Sequence, residues 1–278
     1  MNDLLKEFAG QAATALLRYY VIAGIAFVVF YLLFAEVLHK NKIQERYASK
    51  KDFRREVLNS SVSAVILATV AFLASSKWIA PYTLIYTDKF EYPLWWMPVS
   101  VFLSLVIHDT YFYWMHRLLH HPALFKFTHL LHHKSTNPSP WTAYSFHVLE
   151  AVAEGAVVLV LVFVIPLHPV SISMFALAAL LINVYGHLGY EIAPKWFRKS
   201  FLFEFVNTST YHNLHHSKFK GNYGLYFRVW DRLLGTEHPD YVKIYDRIQE
   251  KRFGNEGTVQ PSPIAANQKA VRLQQEIE

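Results

Sequence analysis

The chain has 278 residues, 53% hydrophobic, 16% aromatic and only 17% charged, with a formal net charge of +6. An average soluble domain is about 25% charged, so the composition points to a membrane protein. The absence of cysteine excludes disulfides, zinc ribbons, iron–sulfur clusters and thiol catalysis. The basic excess, with a pI near 9.3, fits juxtamembrane residues facing anionic lipid better than nucleic-acid binding, for which no motif accompanies it.

Residues 1–12 are short and polar and have no basic n-region, so no cleavable signal peptide is expected. An apolar segment from Ala13 to Leu38 is long enough to span a bilayer, which takes about 20 residues. The connection from His39 to Glu56 carries Lys40, Lys42, Arg46, Lys50, Lys51, Arg54 and Arg55, and the positive-inside rule places it in the cytoplasm. A second span is expected over 57–80. Residues 81–92 hold one lysine and many aromatics, which suits the opposite interface. A third span over 93–115 opens on the interface anchors Trp95 and Trp96 and delivers His116 and His120 to the cytoplasmic side. After Pro122 a helix is expected to carry a second histidine group, and NPSPW (137–141) breaks it. Spans over 143–166 and 170–189 form a hairpin through the turn 166–169. Residues 190–249 are amphipathic and basic. Residues 250–278 read as a flexible tail with a short terminal helix, and its end, EIE, lacks a lysine-type retrieval signal.

The expected fold is an all-α integral membrane protein of four to five transmembrane helices, with a cytoplasmic helical cap carrying the histidines. Three regions follow: N-terminal helices and basic loop (1–92), a catalytic region (93–249) and the tail (250–278).

Histidine is the telling residue. The chain has fifteen, and eight fall into three boxes: His116 and His120 (HxxxH), His129, His132 and His133 (HxxHH), and His212, His215 and His216 (HxxHH again). Residues three and four apart share a helix face, so each box is expected to aim its rings at one point. Neutral imidazole suits iron, zinc and copper. A lone histidine at a helix end is more often a surface residue than a ligand. Eight at matched spacing, brought to one side by loop charge alone, favour metal binding. They are too many for one ion and suit two. His187 lies four residues after Asn183 and makes a ninth; Asn183 is placed to reach a metal through water or to orient a ligand.

The remaining histidines are read separately. His108 lies about 12 Å deeper than His116 and about 80° round the helix, so a buried polar or substrate-lining role is expected. His147 and Glu150 share a face near the boxes and are expected behind the ligands or in a pocket wall. His121 points away, and His39, His168 and His238 read as interfacial loop residues. Carboxylates that would accept the ligands' other N–H are Glu150, Glu191, Glu204 and Asp231. Tyr111, Phe112, Tyr113 and Trp114 are candidates to wall a lipid slot.

The stretches HDTYFYWMHRLLHH, HLLHH, NVYGH, YHNLHH and GNYGLYFRVWDRLLGT resemble the integral-membrane fatty acid hydroxylase and sterol desaturase superfamily, over roughly residues 93–240. The resemblance implies a membrane-bound non-haem di-iron oxygenase, with zinc a possible substitute for the two irons. Such an enzyme uses O2 and external electrons to hydroxylate or desaturate a C–H bond of a lipid of sterol or fatty acyl type. Carried over, the ligands are His116, His120, His129, His132, His133, His187, His212, His215 and His216. The electron donor is expected to be separate, of cytochrome b5 or ferredoxin type with a reductase. The expected location is a bacterial inner membrane or the endoplasmic reticulum, active site toward the cytoplasm. A zinc-dependent membrane hydrolase is the main rival, but it calls for a base beside its ligands, as in HExxH, which is absent. A metal transporter calls for polar residues along the spans, and a haem carrier needs only two axial histidines.

Overall fold

The computed structural model describes residues 2–254, so the expected tail lies almost wholly outside the described residues. Helices are α1 (Asn2–Phe27), α2 (Lys50–Ala74), α3 (Trp96–Leu119), α4 (Pro122–Thr128), α5 (Leu130–His133), α6 (Val148–Val164), α7 (Pro169–Gly186), α8 (Ser209–Lys218), α9 (Val229–Leu233) and α10 (Tyr241–Phe253). Among the described residues there is no strand, only isolated bridges.

Two boundaries differ from expectation. The polar residues 2–12 are helical and begin α1, which continues as a π-helical turn over Val28–Leu33 and stops short of Leu38. α2 begins at Lys50, inside the basic connection, because Ser49 and Asp52 cap it reciprocally: Ser49 Oγ accepts from the Asp52 amide at 3.2 Å and Asp52 Oδ2 from the Ser49 amide at 3.0 Å. A polar sequence can extend an apolar helix when its first amides are satisfied.

Among the described residues, three helices are long and apolar enough to cross a membrane: Asp3–Leu33, Lys50–Ala74 and Pro169–Gly186. The other expected spans, α3 and α6, fall short of that apolarity or length; α3 carries His108, Asp109, His116 and Arg117, and α6 has 17 residues. Both nevertheless pack lengthwise into the bundle, α6 on α2 and α3 on α7. Small residues let α2 and α6 approach closely: Ala64, Ala68 and Ala74 are buried, and a Cβ on Gly155 would lie 3.0 Å from Val70.

The connections sort to two ends. At one, Leu84 donates its amide to Val162 O (2.8 Å) and Trp96 Nε1 to Pro166 O (3.0 Å), so the 81–92 loop lies on the 165–168 turn. At the other, Lys42 sits buried among Tyr31, Tyr47 and Tyr190, with Nζ 5.1, 5.0 and 4.7 Å from the ring centroids. Burial pushes its pKa down to about 8. The basic connection is thereby fastened to the chain just after His187, at the histidine end.

Glu56, fully buried on α2, accepts from Ser135 Oγ at 2.7 Å and Ser139 Oγ at 2.6 Å. It holds the NPSPW segment and, through it, the Ser135 carbonyl used below. Glu56→Ala would orphan both hydroxyls in the interior, at about 2 kcal/mol or more. A lowered melting temperature in detergent is the expected result, and an unchanged one would remove this tie from the account.

Candidate metal centre

All nine expected ligands meet at one end of the bundle. They form two groups whose ligand atoms each lie within 4.8 Å of one another: His116, His120, His129, His133 and His215, and beside them His132, His187, His212 and His216. In the first, Nε2 of His116 lies 2.9 Å from that of His129, and Nε2 of His133 lies 3.1 Å from His120 and 3.0 Å from His215. In the second, Nε2 of His187 lies 3.3, 3.1 and 3.0 Å from those of His132, His216 and His212. The groups adjoin, with the His133 and His216 rings stacked at 4.9 Å.

The boxes do not each serve one point, which corrects the expectation. They are crossed. Within a helix, the residues four apart stay together: 116 with 120, 129 with 133, and 212 with 216. The histidine just before the last position of each HxxHH box turns to the other group. Adjacent helical residues diverge by about 100°, so His132 and His133 reach different centres, as do His215 and His216. Box two lends one ring to the second group and box three lends one to the first. α4 also ends at Thr128, before α5 begins at Leu130, and His129 at this break faces His116.

Six of the nine rings are oriented from behind, His132 among them through Ser145 O (3.4 Å), whereas Nδ1 of His133 and of His212 is buried without a partner among the described residues. Nδ1–H donates from His116 to Tyr223 O (2.8 Å), from His215 to Gly221 O (2.7 Å) and from His187 to Asn183 O (2.8 Å). His216 donates to Ser135 O (3.0 Å) and His129 to Glu150 Oε1 (2.6 Å). With the proton on Nδ1, Nε2 presents its lone pair to the centre. Burial, with crowding by neighbouring imidazoles, pushes the pKa values of His129, His132, His133, His212 and His216 well down. Burial takes His187 and His215 to about 4. The rings are therefore neutral at pH 7, and each group gathers lone pairs at about 3 Å, a mutually repulsive set unless a cation lies among them. Neutral nitrogen donors with anchored far sides fit a first-row transition metal in each group.

The other candidates divide. Glu150 alone of the four carboxylates contacts a ligand ring. Asp231 accepts from the amides of Tyr223 and Gly224 (3.0 and 2.7 Å), holding the loop whose carbonyls orient His116 and His215. Glu191 binds Thr210 at the start of α8 (Oγ1, 2.6 Å), and Glu204 pairs with Arg232 at the surface. Asn183 orients His187 through its backbone carbonyl, while its side chain donates to Ala143 O (2.9 Å) and faces a cavity. His147 is not behind the ligands: its ring caps α6, accepting from the Leu149 amide at 3.3 Å. His121, His168 and His238 accept from amides two residues on, and His39 donates to Glu36 O.

Asp109, which with His108 is expected in a buried polar role inside a span, is not among the expected site residues, yet it holds a loop of the site. Its Oδ1 accepts from the amides of Leu225 (3.2 Å), Tyr226 (2.7 Å) and Phe227 (3.1 Å). A carboxylate in a span is costly, and that cost was the available signal.

A cavity of about 590 Å³ runs between α1, α2, α6 and α7. Phe146 is one of its lining residues, and its ring lies 5.2 Å from that of His132. Tyr111, Phe112, Tyr113 and Trp114 do not line it, contrary to expectation. They pack behind α3: Tyr111 on the Ala153 carbonyl, Phe112 on His116 and Tyr113 on Trp230, while Trp114 is half-exposed. The walls come instead from alanines and other small residues on α1, α2 and α7, whose lack of bulk makes the space.

Residues 101–236 match the fatty acid hydroxylase family model. The chain is 30% identical over 206 residues to a Delta(7)-sterol 5(6)-desaturase of Gibberella zeae, covering 72% of this chain and 61% of that protein. It is 33% identical over 202 residues to lathosterol oxidase of Rattus norvegicus (66% and 64%) and 32% over 148 residues to methylsterol monooxygenase 1 of Gallus gallus (53% and 49%). It thus spans less than two thirds of the length of each of these relatives. No solved structure is significantly similar. The matched region contains all nine clustered histidines, and the chain belongs to the fatty acid hydroxylase/sterol desaturase superfamily.

Proposed function

We propose that this protein is a membrane-bound non-haem di-iron oxygenase that uses O2 to hydroxylate or desaturate a C–H bond of a lipid, with a sterol as the substrate class. The observation that carries the reading is the pairing of two adjacent groups, of five and four imidazoles, with an apolar cavity lined by Phe146, whose ring lies 5.2 Å from that of His132. The names of the relatives favour the sterol. When bound, a pair of irons supplies the oxygen activation that no side chain can perform on an unactivated C–H bond.

The chain's own residues do the rest. The nine histidines hold the metals with neutral donors. Glu150 accepts from His129 Nδ1–H and so keeps that proton off Nε2. The cavity walls hold an apolar molecule in place and keep bulk water from it. Histidines and basic connection share one end of the bundle, which fits an active site at the cytoplasmic face, within reach of a cytochrome b5- or ferredoxin-type electron donor. A zinc hydrolase is disfavoured because, among the described residues, no carboxylate other than Glu150, which binds the far side of His129, contacts a ring of either group.

Metal analysis of purified protein should find two irons per chain and no haem band. Lipid mass spectrometry of cells with and without the gene should show a sterol that gains one oxygen atom or loses two hydrogen atoms, only when O2 is present. One zinc per chain with oxygen-independent turnover would sink the reading.

A further inference from the structure

The cavity wall is mostly apolar; of its acidic and basic lining residues, Glu7, Arg18, His108 and Glu154, the last two are buried and approach each other from different helices. His108 on α3 and Glu154 on α6 are 6% and 8% exposed, and both line the cavity. His108 Nδ1 lies 2.9 Å from Tyr226 Oη. With that hydroxyl donating, His108 carries its proton on Nε2, and Nε2 is buried without a hydrogen-bond partner among the described residues. The nearest acceptor is Glu154 Oε2 at 3.7 Å, too far for a direct bond. Neither group takes part in holding the histidine groups.

A buried donor and a buried acceptor separated by slightly more than a hydrogen bond ask for a bridging group that can accept from one and donate to the other. A hydroxyl does both. An ether or ester oxygen only accepts, and would leave the Glu154 carboxylate unanswered in an apolar cavity, at the cost of a stranded polar group. A hydrocarbon would satisfy neither.

We infer that the His108–Glu154 pair is the docking point for the hydroxyl group of the lipid substrate, and that it makes the cavity select lipid alcohols over their ethers, esters and hydrocarbons. The inference rests on the reading of this cavity as the lipid slot and deepens it. Tyr226 is a positioning residue here, since its hydroxyl sets the tautomer of His108. α3 thus carries two functions on one helix, the hydroxyl anchor at His108 and metal-group histidines two turns later.

The test is equilibrium binding of dehydroergosterol, followed by energy transfer from the protein's tryptophans, beside binding of its methyl ether. The full chain is used in detergent, and turnover is not needed. The wild-type protein should bind the alcohol at least about tenfold more tightly than the ether, the loss expected for one unanswered buried group. Glu154→Leu and His108→Phe should bring the two probes to equal affinity, while Glu154→Gln, which keeps an acceptor, should retain most of the preference. The wild-type comparison stands even if a variant fails to fold. Equal binding of both probes by the wild type would overturn the docking point while leaving the sterol slot intact. Binding of neither would overturn both.

Discussion

His132→Ala and His215→Ala should each abolish lipid conversion, by more than about 100-fold, while leaving the chain inserted in the membrane. Residues that only orient metal ligands typically cost 10–100-fold when removed; these two are placed to hold metal directly. They test different groups. His132→Ala leaves three imidazoles in the smaller group, so metal content should fall by about one ion per chain. His215→Ala leaves four in the larger group and removes the ring that box three lends to it. That variant should retain more metal than His132→Ala yet lose the activity. His121→Ala, at an exposed ring that caps α4, is the matched control and should keep conversion within about twofold, as ordinary surface changes do. Wild-type turnover by either ligand variant, with O2 and a reductant supplied, would refute the assignment.

Asp109→Leu should be the most destabilising single change outside the histidines. It strips the acceptor from three buried amides at once. At roughly 1–3 kcal/mol for each orphaned donor, less the desolvation relieved by removing a buried carboxylate, a net loss of about 3 kcal/mol is expected. The effect should reach the metals. The 221–227 loop presents the Gly221 and Tyr223 carbonyls to His215 and His116, so iron per chain should fall with the melting temperature. Asp109→Asn keeps a carbonyl oxygen in the same place and should lie much closer to wild type. A leucine variant that melts like wild type would show that the loop is held by other means.

The two cases show how far linear spacing carries the argument. The ligand candidates were legible because HxxxH and HxxHH place rings on helix faces, and because loop charge brings the boxes to one side. The sorting of those ligands was not legible. It depends on where neighbouring helices stand, since His132 and His133 differ only in direction, and direction becomes identity when a partner ring lies along it. Likewise, Asp109 was visible as a charge in a span, but its role required a loop more than a hundred residues away. The aromatics 111–114 misled because an apolar residue beside a metal box can face either a slot or a neighbouring helix.

The amino-acid sequence by itself determined the helical class, the approximate positions of the long helices, the end of the bundle that carries the histidines and the set of rings that gather there. Those follow from local periodicity, charge and residue chemistry. Only the tertiary structure decided the division into groups of five and four, the carbonyls that fix the ring tautomers, and the course of the cavity. Each of these is a relation between side chains far apart in the chain, set by how α2, α3, α6, α7 and α8 pack. Small residues on one helix create space only when another helix stands opposite.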